Sequence, residues 1–537
     1  MTDLATSIIR RNDELIGDRS SQESRWRKLV RYALPQEAGG WGVDPDGPRS
    51  SPTVDDTARE CLDNLVAGLD EMLFRRQPYE VVPKDDGVAD RGGYPVAWAD
   101  YATHNLGAAL EHPKCGFTVA RQLLLRSAAG LGHGHMFVTE RPGQHLVCKS
   151  YPANEYVVAE NADGIVDTLF RTYEMTVRQV VETWGTRASE KVRSRLEQAP
   201  GEKVRVLHAV YPRYEVTPAA HRQRMPWASV YIEVDAKNIL DEGGFNEFPH
   251  VVPRWDRREC GPYGWCPGMM VLDEIQRVNA MQRSNLHAAQ RIAEPEVYIP
   301  NGMFQEALIR RPGKAHFYDA TRSGQNAEVR QWPSPPQLPI AIEMMQAVQV
   351  AIREAFFYYL LQPPQSPNMT ATEWIGRQRQ MARRMGAPVA RLEQEAADPI
   401  GKRAFALLVR AGAIQPPQPP WRLDDFEVRF RSPMAQLKLL AEAESIHRTL
   451  EGAAICAQFD PRVAQVVDAE ESLRELQGSY GAPIKMLQDR EAVQRAREAD
   501  AQRQQIAQAG QVAMTGATVG KLVAQAQAAQ QGGGVGA

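Results

Sequence analysis

The chain has 537 residues, of which 43% are hydrophobic and 24% are charged, and its formal net charge is -3. This length exceeds what one hydrophobic core organises, so the sequence predicts several structural regions. The apolar content excludes a largely disordered protein. The balance of 63 Lys and Arg with 66 Asp and Glu excludes a protein that coats nucleic acid, because such coats need a large basic excess. It does not exclude a protein past which nucleic acid slides.

Sorting signals are missing from the sequence. The six cysteines are widely spaced and form no C-x-x-C pair, which excludes a zinc ribbon and is typical of a reducing compartment. Residues 1–11 lack the apolar segment of a signal peptide. The most apolar stretch, residues 340–361, contains five polar or charged side chains, so no transmembrane helix is predicted. These features predict a soluble protein made in the cytoplasm.

Helical patterns dominate the first third of the chain. Ser20 and Glu23 form a capping-box pattern that predicts a helix start, and apolar residues then recur at helical spacing as far as Pro35. A second apolar stripe at helical spacing, from Ala58 to Leu73, predicts a second helix.

The pattern changes between residues 146 and 254. Runs rich in Val, Tyr and Ile predict strands at residues 155–159, 204–211 and 229–234, and residues 176–198 between them have a helical pattern. This part of the chain is predicted to be α+β.

Two long helices are predicted farther along, over residues 269–293 and 340–361. At 1.5 Å per residue the first would span roughly 35–40 Å. The segment between them has strand patterns at residues 297–299 and 316–318 and a proline-rich end. The layout predicts two helical rods joined by a small α/β tip.

A proline-rich segment, residues 362–369, follows the second rod and cannot form a regular helix. Thr370 and Glu373 then form a second capping box, which predicts a helix that Pro388 interrupts. From about residue 433 the sequence is typical of Ala-, Gln- and Glu-rich helix and ends in a low-complexity tail.

Motifs for catalysis are not found. The sequence has no P-loop, no G-x-S-x-G and no H-E-x-x-H, so we predict no catalytic residue and no cofactor. His133 and His135 lie in a Gly-His cluster, but no further ligand at the usual spacing completes a metal site. We predict a glycine-rich turn between a helix and a strand there.

Two basic clusters have two possible roles each. Either they form solvated or intersubunit surfaces, or they contact DNA phosphates. The first cluster follows the proline-rich segment and the second lies in the tip: Arg377, Arg379, Arg383 and Arg384, and Arg310, Arg311 and Lys314.

An aromatic run, Phe356, Phe357, Tyr358 and Tyr359, ends the second rod. Aromatic side chains on all sides of a helix imply burial on all sides. In a thin pair of helices this favours a subunit interface over a core within one chain.

Several short segments occur in a fixed order along the chain: Trp26 with Tyr-Ala-Leu-Pro at 32–35, Asn-Leu-Val-Ala-Gly-Leu at 64–69, Gly-Trp-Cys-Pro-Gly-Met at 264–269, Thr-Ala-Thr-Glu at 370–373 and Phe-Arg-Ser-Pro-Met-Ala at 430–435. Their identity and order resemble the portal, or head-to-tail connector, proteins of short-tailed, T7-like bacteriophages. The resemblance spans nearly the whole chain.

The resemblance implies a mainly α, α+β portal fold that assembles into a ring around a central channel. By position, the wing would be residues 1–268, the stem helices 269–293 and 340–361, the clip 294–339, the tunnel loop 362–372, a wing helix and return strand 373–432, the helical crown 433–510, and its extension and tail 511–537. The loop residues that would project into the channel are Gln362, Pro363, Pro364, Gln365, Ser366, Pro367, Asn368 and Met369.

The resemblance also implies a role at the head–tail vertex of a virion, for a protein made in the cytoplasm of a host bacterium. Family members form a twelve-subunit ring through which double-stranded DNA is packaged and ejected. The terminase large subunit, and later the tail adaptor and nozzle proteins, would dock on the clip, with the major capsid and scaffolding proteins as further partners. No enzyme activity, metal or membrane contact is expected. The alternatives are another structural or ejected internal virion protein, and a soluble enzyme with an unfamiliar site.

Overall fold

The computed structural model describes residues 2–42, 54–74, 78–85, 94–141, 144–213, 225–257, 261–293, 297–300, 315–318, 330–331, 338–362, 371–431, 433–460, 462, 466–480, 493, 495, 499 and 521. The chain divides into two compact units. The first comprises Met1–Tyr79, His104–Gln415 and Val428–Met434, and the second Glu80–Thr103, Pro416–Glu427 and Ala435–Ala537.

Helices form most of the described chain. In order they are α1 (Thr2–Ala33), α2 (Thr57–Phe74), α3 (Tyr94–Glu111), α4 (Phe117–Leu131), α5 (Val177–Trp184), α6 (Glu190–Ser194), α7 (Pro267–Met270), α8 (Leu272–Ala293), α9 (Leu338–Ala355), α10 (Tyr358–Leu361), α11 (Ala371–Leu392), α12 (Asp398–Arg410), α13 (Pro433–Phe459) and α14 (Ala469–Tyr480). A π-helical turn, Glu393–Ala397, joins α11 to α12.

The described strands are β1 (Tyr79–Pro83), β2 (Met136–Arg141), β3 (Gln144–Lys149), β4 (Tyr156–Glu160), β5 (Val166–Thr176), β6 (Lys203–Pro212), β7 (Trp227–Glu233), β8 (Asn238–Phe245), β9 (His250–Val251), β10 (Val297–Pro300), β11 (Ala315–Tyr318), β12 (Arg330–Gln331) and β13 (Phe426–Phe430). The mixture confirms the predicted mainly α, α+β fold class.

The largest sheet of the first unit has the order β4-β5-β6-β7-β8, and every neighbouring pair is antiparallel. Side chains alternate between its two faces. One face carries Phe170, Leu207 and Val230, which pack against Ile8 and Leu15 of α1. The spacing of seven residues between Ile8 and Leu15 places both on one side of the helix, which explains why α1 covers this face.

Two smaller sheets complete the described part of the first unit. One has the order β3-β2-β9 and is antiparallel. The other joins β10 to β11 in parallel and to β12 in antiparallel register, within the predicted tip. The strands predicted at residues 297–299 and 316–318 are therefore confirmed.

Two glycine segments meet backbone to backbone. A Cβ added at Gly132, whose φ is +91°, would lie 2.2 Å from the carbonyl oxygen of Gly264. A Cβ at Gly264 would lie 2.3 Å from the oxygen of Gly132. The Trp255 N–H donates to Gly132 O at 2.9 Å and fixes this approach. Only glycine fits at either position, because no other residue lacks a Cβ.

The second unit contains a small aromatic cluster. The Trp98 and Phe426 ring centroids are 4.3 Å apart, and Trp421 lies 6.4 Å from Phe426. The Val81 N–H donates to the Thr103 hydroxyl at 2.8 Å. The rings pack against one another, and the backbone N–H of Val81 has a hydrogen-bond acceptor.

Two helix boundaries predicted from local signals are wrong. Ser20 lies inside α1, where its hydroxyl donates to the Gly17 carbonyl at 2.6 Å instead of capping a helix start. α11 continues through Pro388. The backbone hydrogen bond that Pro388 cannot make would end at the carbonyl of Arg384. Arg384 is exposed, so this part of the helix is open to water.

None of the described helices combines the length and apolar character that crossing a membrane requires.

Candidate functional site

The predicted pair of rods is present as α8 and α9, which pack side by side in the first unit. Asn279 of α8 anchors the pair: its side-chain oxygen accepts from the N–H groups of Val54 and Asp55 at 3.1 and 3.2 Å. Gln349 of α9 donates to the Asp55 carboxylate at 2.7 Å. Both helices are thus bonded to the segment that precedes α2.

Away from this anchor, α8 and α9 expose large aliphatic side chains. Six of them are between 37% and 57% exposed: Leu286, Ile292, Ile340, Ile342, Met344 and Val350. Single exposed apolar residues are ordinary, whereas several on one helical pair are a feature that interaction surfaces often show.

The second rod is interrupted, contrary to the single helix predicted over residues 340–361. α9 ends at Ala355, and Phe357 has left-handed backbone angles (φ +58°, ψ 22°) before α10 begins. A non-glycine residue in this region costs about 1–2 kcal/mol. The break turns Tyr358 so that its hydroxyl donates to Glu60 of α2 at 2.7 Å.

A close contact holds α10 on α2. A Cβ added at Gly68 would lie 2.6 Å from a methyl carbon of Leu361. A larger side chain at position 68 would therefore clash with Leu361. Gly68 belongs to the 64–69 segment on which the family resemblance partly rests.

The aromatic run has mixed surroundings. Phe356 is buried within its own chain, where its ring would lie 3.4 Å from a Cβ at Gly268, so it needs no second subunit for burial. The Phe357 ring centroid lies 6.4 Å from that of Trp255. Tyr359 is 47% exposed. The interface assignment of the run as a whole stays a prediction.

The proline-rich segment begins at Gln362, which caps α10 in extended conformation. Residues 363–370 lie outside the described residues, and so do Arg310, Arg311 and Lys314. The channel and tip assignments stay predictions.

The other basic cluster lies on α11. Arg383 and Arg384 are exposed, and the side chains of Arg377 and Arg379 are outside what the structure describes. Exposure is compatible with both of the roles predicted for this cluster.

The Gly-His cluster is a turn, as predicted: α4 ends at Leu131 and β2 begins at Met136. His133 and His135 are buried in it. The Tyr151 N–H donates to His135 Nδ1 at 3.2 Å, so the proton of this imidazole is on Nε2, which donates to His250 Nδ1 at 2.9 Å. No group of three His, Cys, Asp or Glu side chains among the described residues could hold a metal ion.

The turn belongs to a larger set of buried histidines. Burial, and secondarily the positive charge of Arg19, lowers the pKa of His133 to about 3. Burial and the Arg171 charge lower the pKa of His208 to about 3 as well. The pKa values of His135 and His250 are also lowered, mainly by burial. All four imidazoles are neutral at physiological pH.

Sequence reasoning missed a buried ion-pair network. Arg254 is buried and pairs with Glu160 at 3.0 Å and with Glu395 at 2.8 Å, and it also donates to the Gly164 carbonyl. The partners are 94 and 141 residues away. No local pattern connects residues so far apart, so the network is visible only in three dimensions.

A sequence model of the bacteriophage head to tail connecting protein matches residues 5–487. The chain belongs to that family. The family predicted from the five short segments is therefore confirmed. The match covers both rods, the tip and the aromatic run.

Named relatives agree with this assignment. A portal protein of Salmonella phage epsilon15 is 25% identical over 528 residues, which cover 95% of this chain and 94% of that protein. A probable portal protein of Bordetella phage BPP-1 is 26% identical over 479 residues, which cover 86% of this chain and 85% of that protein. Among solved structures, a chain from the virion of the native gene transfer agent (GTA) particle is 11% identical, with a TM-score of 0.37, and the match covers 84% of this chain and 93% of that chain.

Proposed function

We propose that this head-to-tail connector protein forms a ring at one vertex of the capsid, and that double-stranded DNA is packaged and ejected through the central channel. Its family membership supports a place in the virion between head and tail. The observation that carries the ring is the exposed aliphatic surface of α8 and α9. Neighbouring copies of the same chain would cover this surface, as closed rings require.

The partners of the ring follow from the same role. The terminase large subunit would dock on the clip during packaging, and the tail adaptor and nozzle proteins of a short tail would replace it. The major capsid and scaffolding proteins would contact the wing. ATP hydrolysis would belong to the terminase, because this sequence has no P-loop.

The charge of the chain suits a conduit. Each phosphate contact adds salt-dependent affinity that resists sliding, and a chain with a net charge of -3 has no basic excess to hold DNA. The tunnel loop would line the channel with Pro, Gln, Ser and Asn side chains, which are uncharged. An ejected internal protein or an enzyme would have no need of a ring.

Deleting residues 365–368 tests the conduit. We expect rings to form as in the wild type, because the deletion leaves the helical pair unchanged, while DNA packaging or retention of packaged DNA falls. Electron microscopy measures the rings, and nuclease-protected DNA per particle measures packaging. A matched deletion of the last four residues, 534–537, controls for shortening of the chain. Loss of rings in the 365–368 deletion would show a structural role for the loop and refute its assignment to the channel.

A further inference from the structure

A cleft of about 800 Å³ lies in the first unit between the five-stranded sheet, the β2–β3 hairpin and α5. One row of its lining crosses four strands: Arg171 on β5 faces His208 on β6, which faces Tyr231 on β7, which faces Asp241 on β8. Cross-strand neighbours project from the same face, so this row forms a fixed floor.

Arg171 is held rigidly in this floor. Its guanidinium carbon lies 3.5 Å from the centre of the Tyr151 ring and 4.1 Å from that of Tyr173. Glu155 accepts two hydrogen bonds from it, at 2.9 and 2.7 Å. The stacking and the ion pair fix the guanidinium in place.

Two more cations stand at the rim. Arg141 is exposed and Lys149 is half-buried, and neither has a carboxylate partner among the described residues. Partial burial and the nearby charges of Arg141 and Arg171 lower the pKa of Lys149. Three cations so close together repel one another, and an anion bound between them would relieve that repulsion.

The charge of the cleft differs from that of the whole chain. Its lining has four cations and two carboxylates, Glu140 and Asp241, and one of those carboxylates pairs with Arg187. The chain as a whole has a net charge of -3. The remaining walls are mostly aromatic rings, with Met175 and two threonines, Thr139 and Thr183. Arginine beside aromatic side chains is the composition found at the centres of protein interfaces.

We propose that this cleft binds a carboxylate-rich segment of a partner protein, in which Arg141 and Lys149 pair with its acidic groups and the tyrosine-lined wall packs against its apolar groups. The proposal rests on the proposed function, since a connector must bind other proteins of the particle. It assigns one of those contacts to a defined surface.

The geometry favours a protein segment over nucleic acid. A DNA duplex is a broad convex rod, so its phosphates would reach the cations of the rim but not the floor of the cleft. The Arg171 side chain is only 17% exposed. A free phosphate ion would neutralise the cations but leave the aromatic wall uncovered. A narrow peptide with acidic and apolar side chains fits both features.

The test uses the full-length protein and a fluorescein-labelled peptide in which glutamates flank one phenylalanine. Binding is followed by fluorescence anisotropy at low ionic strength. We expect the double variant Arg141→Glu/Lys149→Glu to weaken binding by about tenfold or more, because it reverses two charges that face the ligand. Glu140→Gln removes a repelling carboxylate and should tighten binding by about threefold.

A matched control reverses two cations elsewhere, in Arg10→Glu/Arg448→Glu, whose side chains are 77% and 76% exposed. It should bind the peptide nearly as tightly as the wild type does. The proposal is overturned if the wild type does not bind, if the control weakens binding as much as the cleft variant does, or if Glu140→Gln weakens it. Tighter binding of inorganic phosphate or a duplex oligonucleotide than of the peptide would overturn the assignment to a protein partner.

The oligomer mass of each variant is measured on the same samples. Rings without peptide binding would refute the cleft proposal and leave the proposed function intact. Peptide binding without rings would refute the proposed ring and leave the cleft as a binding surface for an acidic peptide.

Discussion

The five-stranded sheet region and the α8–α9 pair differ in which side chains they bury and which they expose. Around the sheet, several buried charged and polar groups have partners within the chain: Arg254 pairs with two glutamates, and His135 bonds to His250. On the helical pair, Ile340 and Met344 are more than half exposed. The first region pairs buried charges within one chain, whereas the second has apolar side chains that a neighbouring copy would cover in the proposed ring.

In the proposed ring, the sheet region would act as scaffold and the helical pair would act in assembly. A region with internally paired charges loses stability when one partner is removed. A region with exposed apolar side chains loses assembly and keeps its own stability, because those side chains are not packed in the separate chain. Substitutions in the two regions should therefore have separable effects.

The largest expected effect is that of Arg254→Ala in the first region. Removal of the buried guanidinium leaves Glu160 and Glu395 without their cation and should lower the free energy of unfolding by about 3–5 kcal/mol. Urea denaturation followed by circular dichroism measures the change. The control is Arg257→Ala, which removes a more exposed partner of Glu160 and should cost less than about 1 kcal/mol. Equal losses in the two variants would contradict the special role of Arg254.

The buried histidines make the same region sensitive to acid. The pKa of His133 is about 3 in the folded chain, against an ordinary value of 6.5. Between these values the unfolded chain binds a proton that the folded chain does not, so stability falls as pH falls below 6.5, by about 1.4 kcal/mol per pH unit for each such histidine. Above pH 6.5 this contribution is absent.

His133→Phe tests that origin. Neither ring nitrogen of His133 makes a hydrogen bond of good geometry, and the ring centroid lies 4.9 Å from that of Trp26 and 5.1 Å from that of Tyr263. Phenylalanine should keep this packing. We expect nearly wild-type stability at about pH 8 and an acid slope smaller by about 1.4 kcal/mol per pH unit, measured by urea denaturation at several pH values. Parallel pH profiles for variant and wild type would show that His133 does not contribute.

Tyr358→Phe tests the junction between α2 and the end of the helical pair. It removes the hydrogen bond to Glu60, which lies at the surface, and should cost only about 0.5 kcal/mol. Glu60→Gln keeps an acceptor for the hydroxyl and should cost less. A loss above about 2 kcal/mol for Tyr358→Phe would mean that the break at Phe357 depends on this one bond.

The smallest expected effect on the chain's own stability belongs to Ile340→Asp/Met344→Asp on α9. Both side chains are exposed, so the free energy of unfolding of the separate chain should change by less than about 0.5 kcal/mol. Oligomer formation should be lost, because carboxylates would be buried between copies. The control is Gln346→Asp, which places one carboxylate at an exposed polar position of the same helix and should leave oligomer formation nearly unchanged.

Sequence patterns predicted most of these elements but not their connections. The apolar stripe of α2 and the Val- and Tyr-rich strands β4, β6 and β7 were identified, because burial on one side produces a regular period. Thr176 to Gln198 was predicted as one helical segment, and the structure divides it into α5, a 3₁₀ turn and α6. Gly185 ends α5, and a local glycine signal of this kind is weak on its own.

The candidate sites were less predictable for a physical reason. The capping-box pattern at Ser20 also fits a helix interior, where the hydroxyl bonds to the preceding turn. The Arg171 cleft unites residues from six strands and a helix, and no spacing along the chain reveals such a grouping. Periodicity reports burial on one element, whereas a site depends on which elements meet.

Electron microscopy of the purified wild-type protein, together with its oligomer mass, tests the central claim most directly. We predict rings with an open centre and a mass of about twelve chains, and loss of those rings in Ile340→Asp/Met344→Asp. A monodisperse monomer at every protein and salt concentration would contradict the ring and with it the proposed conduit for DNA.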